Sequence, residues 1–269
     1  GYFIIDGKEK VIVSQEGRAD NILYIRDSFN DLYSHSAEIR SVSEDSSKPI
    51  RTLSVRIVSP QPSMSNGNIV VNVPNVKKPV PLFILMRALG VLSDKEIITT
   101  CLLDLEKYSS YVELFRPSVH DAGYVFTQNT ALKYIASLTK QKTIPTVLNI
   151  LSDYFLPHIG ELNFKHKSLY LGYIVKRLLD VYTNNDNKTD RDSYSYKRIE
   201  ISGKLIYDLF REYYNKELDE IYLDIDKEYF YNENYTKYQG LEYKDVIGLH
   251  QQRIFSKRVV EQGFKKAFK

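Results

Sequence analysis

The sequence predicts an α+β fold, with antiparallel strands in the N-terminal part followed by a predominantly helical part. Three observations carry this expectation. Strand-like alternation and turn dipeptides dominate the first 78 residues. From residue 79 the apolar period becomes that of a helix. The composition, 43 % hydrophobic, 26 % charged and 13 % aromatic over 269 residues, is that of a globular chain rather than a disordered or fibrous one.

The first sixteen residues are expected to form a hairpin. Tyr2-Phe3-Ile4-Ile5 and Lys10-Val11-Ile12-Val13 flank Asp6-Gly7, a dipeptide suited to a tight turn in which both central residues take positive φ. Arg51 to Val58 alternates, with Leu53, Val55 and Ile57 on one side. Asn68 to Val73 answers it as an antiparallel partner after a Pro/Ser/Asn/Gly loop that includes Asn66-Gly67.

The helical part opens at Pro81, continues through Leu82-Phe83-Ile84-Leu85-Met86 and is expected to end with Gly90 at C′. Ser93, three residues before Glu96, forms a capping-box pattern for a helix through Ile97, Ile98, Leu102 and Leu103. Further helices are expected at 129–139, 144–155 and 167–182. The last carries Gly172 inside its apolar stripe, which implies close packing of a neighbour. Residues 183–198 are expected to be a loop. Helices from about 201 to 230 and 250 to 268 follow, separated by a Tyr- and Asn-rich connection.

Charge is uneven beneath a formal net of +3. Residues 217–233 contain seven acids, Glu217, Asp219, Glu220, Asp224, Asp226, Glu228 and Glu233, against the single base Lys227. The last twenty residues reverse this with Arg253, Lys257, Arg258, Lys265, Lys266 and Lys269 against Glu261. Such blocks mark faces that approach or avoid a polyanion, or simply solvated helix faces.

One cysteine, Cys101, excludes an intramolecular disulfide and multi-thiolate zinc sites, and points to a reducing compartment. No apolar run reaches the length of about 20 residues that spans a bilayer, so no membrane association is expected. The best run, Val80 to Leu92, is interrupted by Arg87. No basic leader precedes the apolar residues at Gly1–Ile5, a cleavable signal is not expected, and both ends are read as those of an excised fragment. The sequons at Asn187 to Thr189 and Asn234 to Thr236 are read as chance matches.

No self-contained active site emerges. Asp190-Arg191-Asp192 places two carboxylates close enough to hold Mg²⁺, but Arg191, Lys197 and Arg198 favour a charge-compensated loop. Asp224 and Asp226 lack the glycine of a calcium loop. Among the histidines, His158 and His166 are eight apart and share no zinc spacing. His158 is expected to bond backbone, and Cys101 to be a small core residue. Neither phosphate-cradling glycine motifs nor a GxSxG is present. Polyanion contact remains. Arg191, Lys197, Arg198 and Lys204 surround a loop-to-helix junction, and Arg253, Lys257 and Arg258 lie in the C-terminal helix. Arginine grips phosphate bidentately and lysine attracts it from further away, while Tyr194 and Tyr196 could stack on bases. The alternative for Arg191 is an internal ion pair with Asp190 or Asp192.

Several segments resemble, in order, the second-largest subunit of multisubunit DNA-directed RNA polymerases. They are Gly1 to Glu16, Ala37-Glu38-Ile39-Arg40-Ser41, Pro79 to Gly90, Phe155-Leu156-Pro157-His158-Ile159, Leu171 to Leu179, and Asp190 to Arg198 with Gly203. The resemblance implies the end of a first protrusion segment at 1–16, a lobe domain at 17–200 and a returning protrusion segment at 201–269. It implies one wall of the DNA cleft, with the other polymerase subunits, DNA template, RNA–DNA hybrid and initiation factors as partners. It places no catalytic residue, metal site or cofactor in this fragment; Mg²⁺ belongs to the complete polymerase. The pattern is eukaryotic, archaeal or large-DNA-virus in type, implying an intracellular location, in the nucleus or in the host cytoplasm or virion. The acidic, Tyr-rich stretch Glu217 to Tyr243 departs from it. The competing readings are a stand-alone protein-interaction scaffold and a Mg-dependent nuclease using Asp190 and Asp192.

Overall fold

The computed structural model describes residues 2–45, 48–60, 67–233 and 242–269. Most of the loop expected before Gly67, much of the Tyr/Asn-rich connection and the Asn234 sequon lie outside them. The chain forms two compact units, Arg18–Lys197 and the smaller Gly1–Gly17 with Arg198–Lys269.

The larger unit is built on a five-stranded antiparallel sheet. Its strands are β4 (Leu23–Asn30), β5 (Tyr33–Ser41), β6 (Arg51–Val58), β7 (Ile69–Asn72) and β8 (Val80–Pro81), in that spatial order. The expected β6–β7 pair is present, with Val55 opposite Val71 and Ile57 opposite Ile69. Leu53, Val55 and Ile57 are buried, as the alternation requires. β4 and β5 were not anticipated. Polar residues such as Arg26, Asp27, Ser34 and Ser36 dilute their apolar pattern, and only pairing with neighbours on both sides makes β5 a central strand.

The helices of this unit are α1 (Leu82–Ala88), α2 (Asp94–Leu102), α3 (Ser109–Val112), α4 (Arg116–Ala122), α5 (Gln128–Ser137), α6 (Ile144–Asn149) and α7 (Phe164–Tyr182), of which α1, α4 and α7 pack on the sheet. α1 is buried along its whole length and ends with Gly90 at φ 105°. Ser93 caps α2 by accepting the Glu96 amide at 3.5 Å, but the helix stops at Leu102, because Leu103 turns to φ 62°. α6 runs into a π-helical turn, Ile150–Tyr154. α3 and α4 were missed because each is too short to show a helical period.

α7 packs on β4, β5 and β6, and also on α2. Gly172 makes the second contact possible. A Cβ there would lie 2.6 Å from the Thr100 carbonyl oxygen, so the close approach inferred from sequence is backbone against side-chain-free helix.

Two buried cations tie loops to this core. Arg87, only 2 % exposed, interrupts an apolar run and lies inside the fold. Its Nε donates to Leu92 O at 3.3 Å, while its other nitrogens meet Val125 O and the Asp94 carboxylate. Lys167 is fully buried and its Nζ donates to Leu151 O and Ser152 O, both at 2.7 Å, satisfying carbonyls of the π-turn. Burial pushes its pKa down from 10.5 to about 8, against a smaller opposing pull from Asp153. His158 differs from expectation: its Nδ1 meets the Ser41 hydroxyl at 2.7 Å rather than backbone, and its ring edge meets Tyr170. Burial, with Lys167 adding to it, lowers its pKa. Cys101 is buried in the core as expected, its thiol pushed up to about 12.

In the smaller unit, β1 (Phe3–Ile5) and β2 (Lys8–Lys10) form the predicted hairpin, with Asp6 at φ 50° and Gly7 at φ 75°. The return strand is Lys8–Lys10 rather than Lys10–Val13, because a two-residue turn sets Ile5 directly opposite Lys8. β3 (Gln15–Arg18) pairs with β9 (Lys197–Glu200), so the segment expected to be all loop closes on a short strand. α8 (Ser202–Glu233) follows. The single helix expected at 250–268 is two, α9 (Tyr243–Ile254) and α10 (Val259–Ala267), broken where Arg258 takes φ 50°. Gly263 of α10 lies under the Tyr213 ring of α8, and a Cβ there would come within 2.3 Å of it. Among the described residues, no helix is long and apolar enough to cross a membrane.

Gly172→Ala should cost about 1–3 kcal/mol in urea denaturation, overpacking outweighing alanine's helix preference. Gly248→Ala, whose Cβ would meet nothing within 4 Å, should instead gain up to about 1 kcal/mol. Lys167 releases its proton near 8 when folded and near 10.5 when unfolded, so stability should rise across that interval, where the unfolded chain holds the extra proton. In Lys167→Met, denaturation midpoints measured across the same interval should lack that part of the rise.

Candidate nucleic-acid interface

The candidate cations fall in both units, Arg191 and Lys197 in the larger, Arg198, Lys204, Arg253, Lys257 and Arg258 in the smaller. In the larger unit the loop carrying Arg191 is pinned on both sides. Upstream, Thr189 exchanges two hydrogen bonds with Ile25 on the edge strand β4, its amide to Ile25 O at 3.0 Å and its hydroxyl from Ile25 N at 3.2 Å. Lys188 pairs with Asp27 at 3.0 Å and holds that carboxyl below its usual range. Downstream, Tyr196 O accepts from the Ala19 amide at 2.9 Å and the Tyr24 hydroxyl at 3.2 Å. The loop therefore covers an edge strand that would otherwise expose unpaired backbone, and it presents its side chains from a fixed base.

Within that loop the two aspartates are engaged. Asp190 Oδ1 accepts the Asp192 amide at 3.0 Å, and Asp192 lies 3.8 Å from Lys197 Nζ. Arg191 makes no ion pair among the described residues, so the internal pair considered from sequence goes to Lys197 instead. Tyr194 is 87 % exposed. Tyr196 packs on Tyr24 at 5.7 Å, which makes it part of the pinning rather than a free stacking platform. Among the described residues, no three His, Cys, Asp or Glu side chains gather where a metal ion could be held.

In the smaller unit the two opposite charge blocks meet. Glu217, Glu220, Asp224 and Glu228 recur every three or four residues along α8 and so share one face. Glu228 pairs with Arg253 and lies 3.6 Å from His250 Nε2. Asp224 meets Lys257 Nζ at 2.6 Å, with Glu220 at 3.7 Å. Glu217 accepts the Val260 amide at 3.1 Å, where the first turn of α10 offers unpaired N–H groups. The Lys257 hydrogen bond holds the Asp224 carboxyl below its usual range and, reciprocally, raises the lysine. Arg258 is 3.8 Å from Glu261, and Lys204 pairs with Glu200 at 2.8 Å and Asp208 at 3.9 Å. The acidic stretch is thus the counter-charge of the C-terminal helices. The spacing of its four carboxylates was readable in the sequence; which helix it faced was not.

These pairs sit at the surface and respond to salt. Asp224→Asn should lower the thermal midpoint at low ionic strength, and the difference from wild type should close at about 1 M salt, where the screening length is roughly 3 Å.

Comparison with known proteins gives a consistent result. The family described as RNA polymerase Rpb2, domain 2, matches residues 36–200. DNA-directed RNA polymerase II subunit RPB2 of Encephalitozoon cuniculi is 42 % identical over 225 residues, covering 80 % of this chain and 19 % of that protein. DNA-directed RNA polymerase II subunit 2 of Arabidopsis thaliana is 35 % identical over 228 residues, with 80 % and 19 % covered. Subunit Rpo2 of Saccharolobus solfataricus is 33 % identical over 219 residues, with 78 % and 18 % covered. The chain therefore spans about a fifth of the length of the curated relatives it matches.

Proposed function

The chain belongs to the Rpb2 family of RNA polymerase second-largest subunits and carries its domain 2, and from that membership we propose that it is the lobe and part of the protrusion of such a subunit. It forms one wall of the DNA cleft in an enzyme that copies a DNA template into RNA from ribonucleoside triphosphates. It contributes no catalytic residue of its own. Its partners are the other polymerase subunits, the DNA template and RNA–DNA hybrid, and initiation factors. It works inside the cell, in the nucleus or, for a viral enzyme, in the host cytoplasm or virion.

The observation that supports this reading is the family match across residues 36–200, which runs through the pinned loop. That loop offers Arg191 to phosphate from a rigid base, with Lys197 and Arg198 following and Lys204 at the start of α8. Arg253, Lys257 and Arg258 contribute through their residual field, since carboxylates of α8 and α10 already meet them. A wall of this kind holds its nucleic acid weakly by itself, because sequence-independent affinity grows with the number of phosphates neutralised together.

Duplex binding by the purified 269-residue chain, followed by fluorescence anisotropy across a salt series, tests the proposal. Weak, salt-sensitive binding is expected. Replacing Arg191, Lys197 and Arg198 together with alanine should flatten the salt dependence by up to about 0.9 in log–log slope for each phosphate no longer neutralised. A wild-type chain with no salt-sensitive affinity for duplex or hybrid would favour the stand-alone scaffold instead.

A further inference from the structure

Not all of the chain's surface cations are neutralised. Lys77 and Lys140 line an open cleft of about 530 Å³ in the larger unit. Lys78 and Lys142 lie beside them in the chain, all four are exposed, and among the described residues none of them forms an ion pair. The two segments that carry them are fastened to each other and to α6. The Lys77 amide donates to Leu138 O and the Lys142 amide to Thr139 Oγ1, both at 3.1 Å, and Gln141 Oε1 accepts from Thr146 Oγ1 at 2.6 Å. Asn75 and Lys142 hold positive φ, of 64° and 55°, which fixes the course of both lips.

Part of the lining is apolar. Val76, Ile150 and Tyr154 contribute to it, and the Arg51 guanidinium lies 4.1 Å from the Tyr154 ring centroid, adding a further positive charge. Gln141 and Asn149 supply amide groups around this surface, whereas the buried Thr139 hydroxyl is taken up by Ala136 O and the Lys142 amide. We propose that the cleft docks an acidic peptide segment of a partner protein. An apolar or aromatic side chain of that segment seats against Val76, Ile150 and Tyr154, its carboxylates lie among the lysines, and its backbone bonds the Gln141 and Asn149 amide groups.

The chemistry favours peptide over nucleic acid. The cations at the cleft itself are lysines, which attract as point charges and lack the bidentate fork that reads phosphate. Nucleic-acid tracks also spread their charge along an extended groove, whereas this cleft has room for only a few side chains. The inference stands apart from the polymerase reading, since such a cleft would serve a scaffold equally well.

The test uses a fluorescently labelled peptide with one phenylalanine flanked by runs of aspartate and glutamate, titrated with the 269-residue chain. Saturable binding is expected. Lys77→Glu with Lys140→Glu should weaken it by about tenfold or more, like charges now facing the peptide carboxylates, while circular dichroism stays unchanged. Replacing the phenylalanine with serine should weaken it independently. Lys95→Glu, an exposed reversal on α2, should leave it unaltered. The proposal is overturned if the peptide does not bind, if Lys95→Glu weakens binding as much as the cleft pair does, or if Lys77→Glu with Lys140→Glu weakens the binding of single-stranded DNA of equal length more than that of the peptide.

Discussion

α7 is covered from two sides, by the sheet and by α2, and Gly172 is the residue that permits it. A helix with side chains all round keeps its neighbours 8–10 Å away in typical packings. At Gly172 the α2 backbone comes so near that even a methyl group would collide with Thr100 O. The consequence runs through the larger unit. With α7 held, Tyr182 reaches His35 on β5 at 5.2 Å, Tyr111 reaches Asp180 at 3.0 Å, and the chain leaving α7 returns along β4. The pinned loop with Arg191 thus inherits its position from a helix–helix contact made within α7.

The buried cations play the complementary part. Arg87 and Lys167 lie where an apolar side chain would pack, but each satisfies backbone carbonyls that helices and strands leave unpaired. Leaving such a carbonyl bare costs about 1–3 kcal/mol, and stranding a buried charge costs more. Arg87 gathers Leu92, Val125 and Asp94, joining the start of α2 to the segment before α5. Lys167 gathers the π-turn, which in turn supports Tyr154 beside the lysine-rimmed cleft. Rigid loops on a small sheet are what a binding surface needs, because ordering costs are met during folding rather than on encounter.

Electrostatics divides the surface into spent and available charge. The acidic face of α8 engages Arg253 and Lys257, so the most basic part of the sequence keeps less free positive charge than its residue count suggests. The exposed lysines at 77, 78, 140 and 142 are scattered along the chain and form no block that a charge plot would single out. They become a group only when the 74–78 and 138–142 segments are hydrogen-bonded together. Sequence charge is therefore a poor guide to surface potential wherever opposite blocks can fold onto each other.

The amino-acid sequence by itself determined the α+β class, the Asp6-Gly7 turn, the β6–β7 pair, the stop at Gly90, the end of α7 at Tyr182 and the tight approach at Gly172. Each is a local matter of φ preference, apolar period or missing side chain. The family too was legible, because its segments recur in order along the chain. Only the tertiary structure decided β4 and β5, whose diluted alternation becomes strand by pairing, β5 with a neighbour on each side and β4 with β5 alone, and the break at Arg258, where α10 turns back along α8. It likewise decided which cations remain without counter-charge, since an ion pair between residues such as Asp224 and Lys257 depends on distance in space, and separation along the chain carries no record of it.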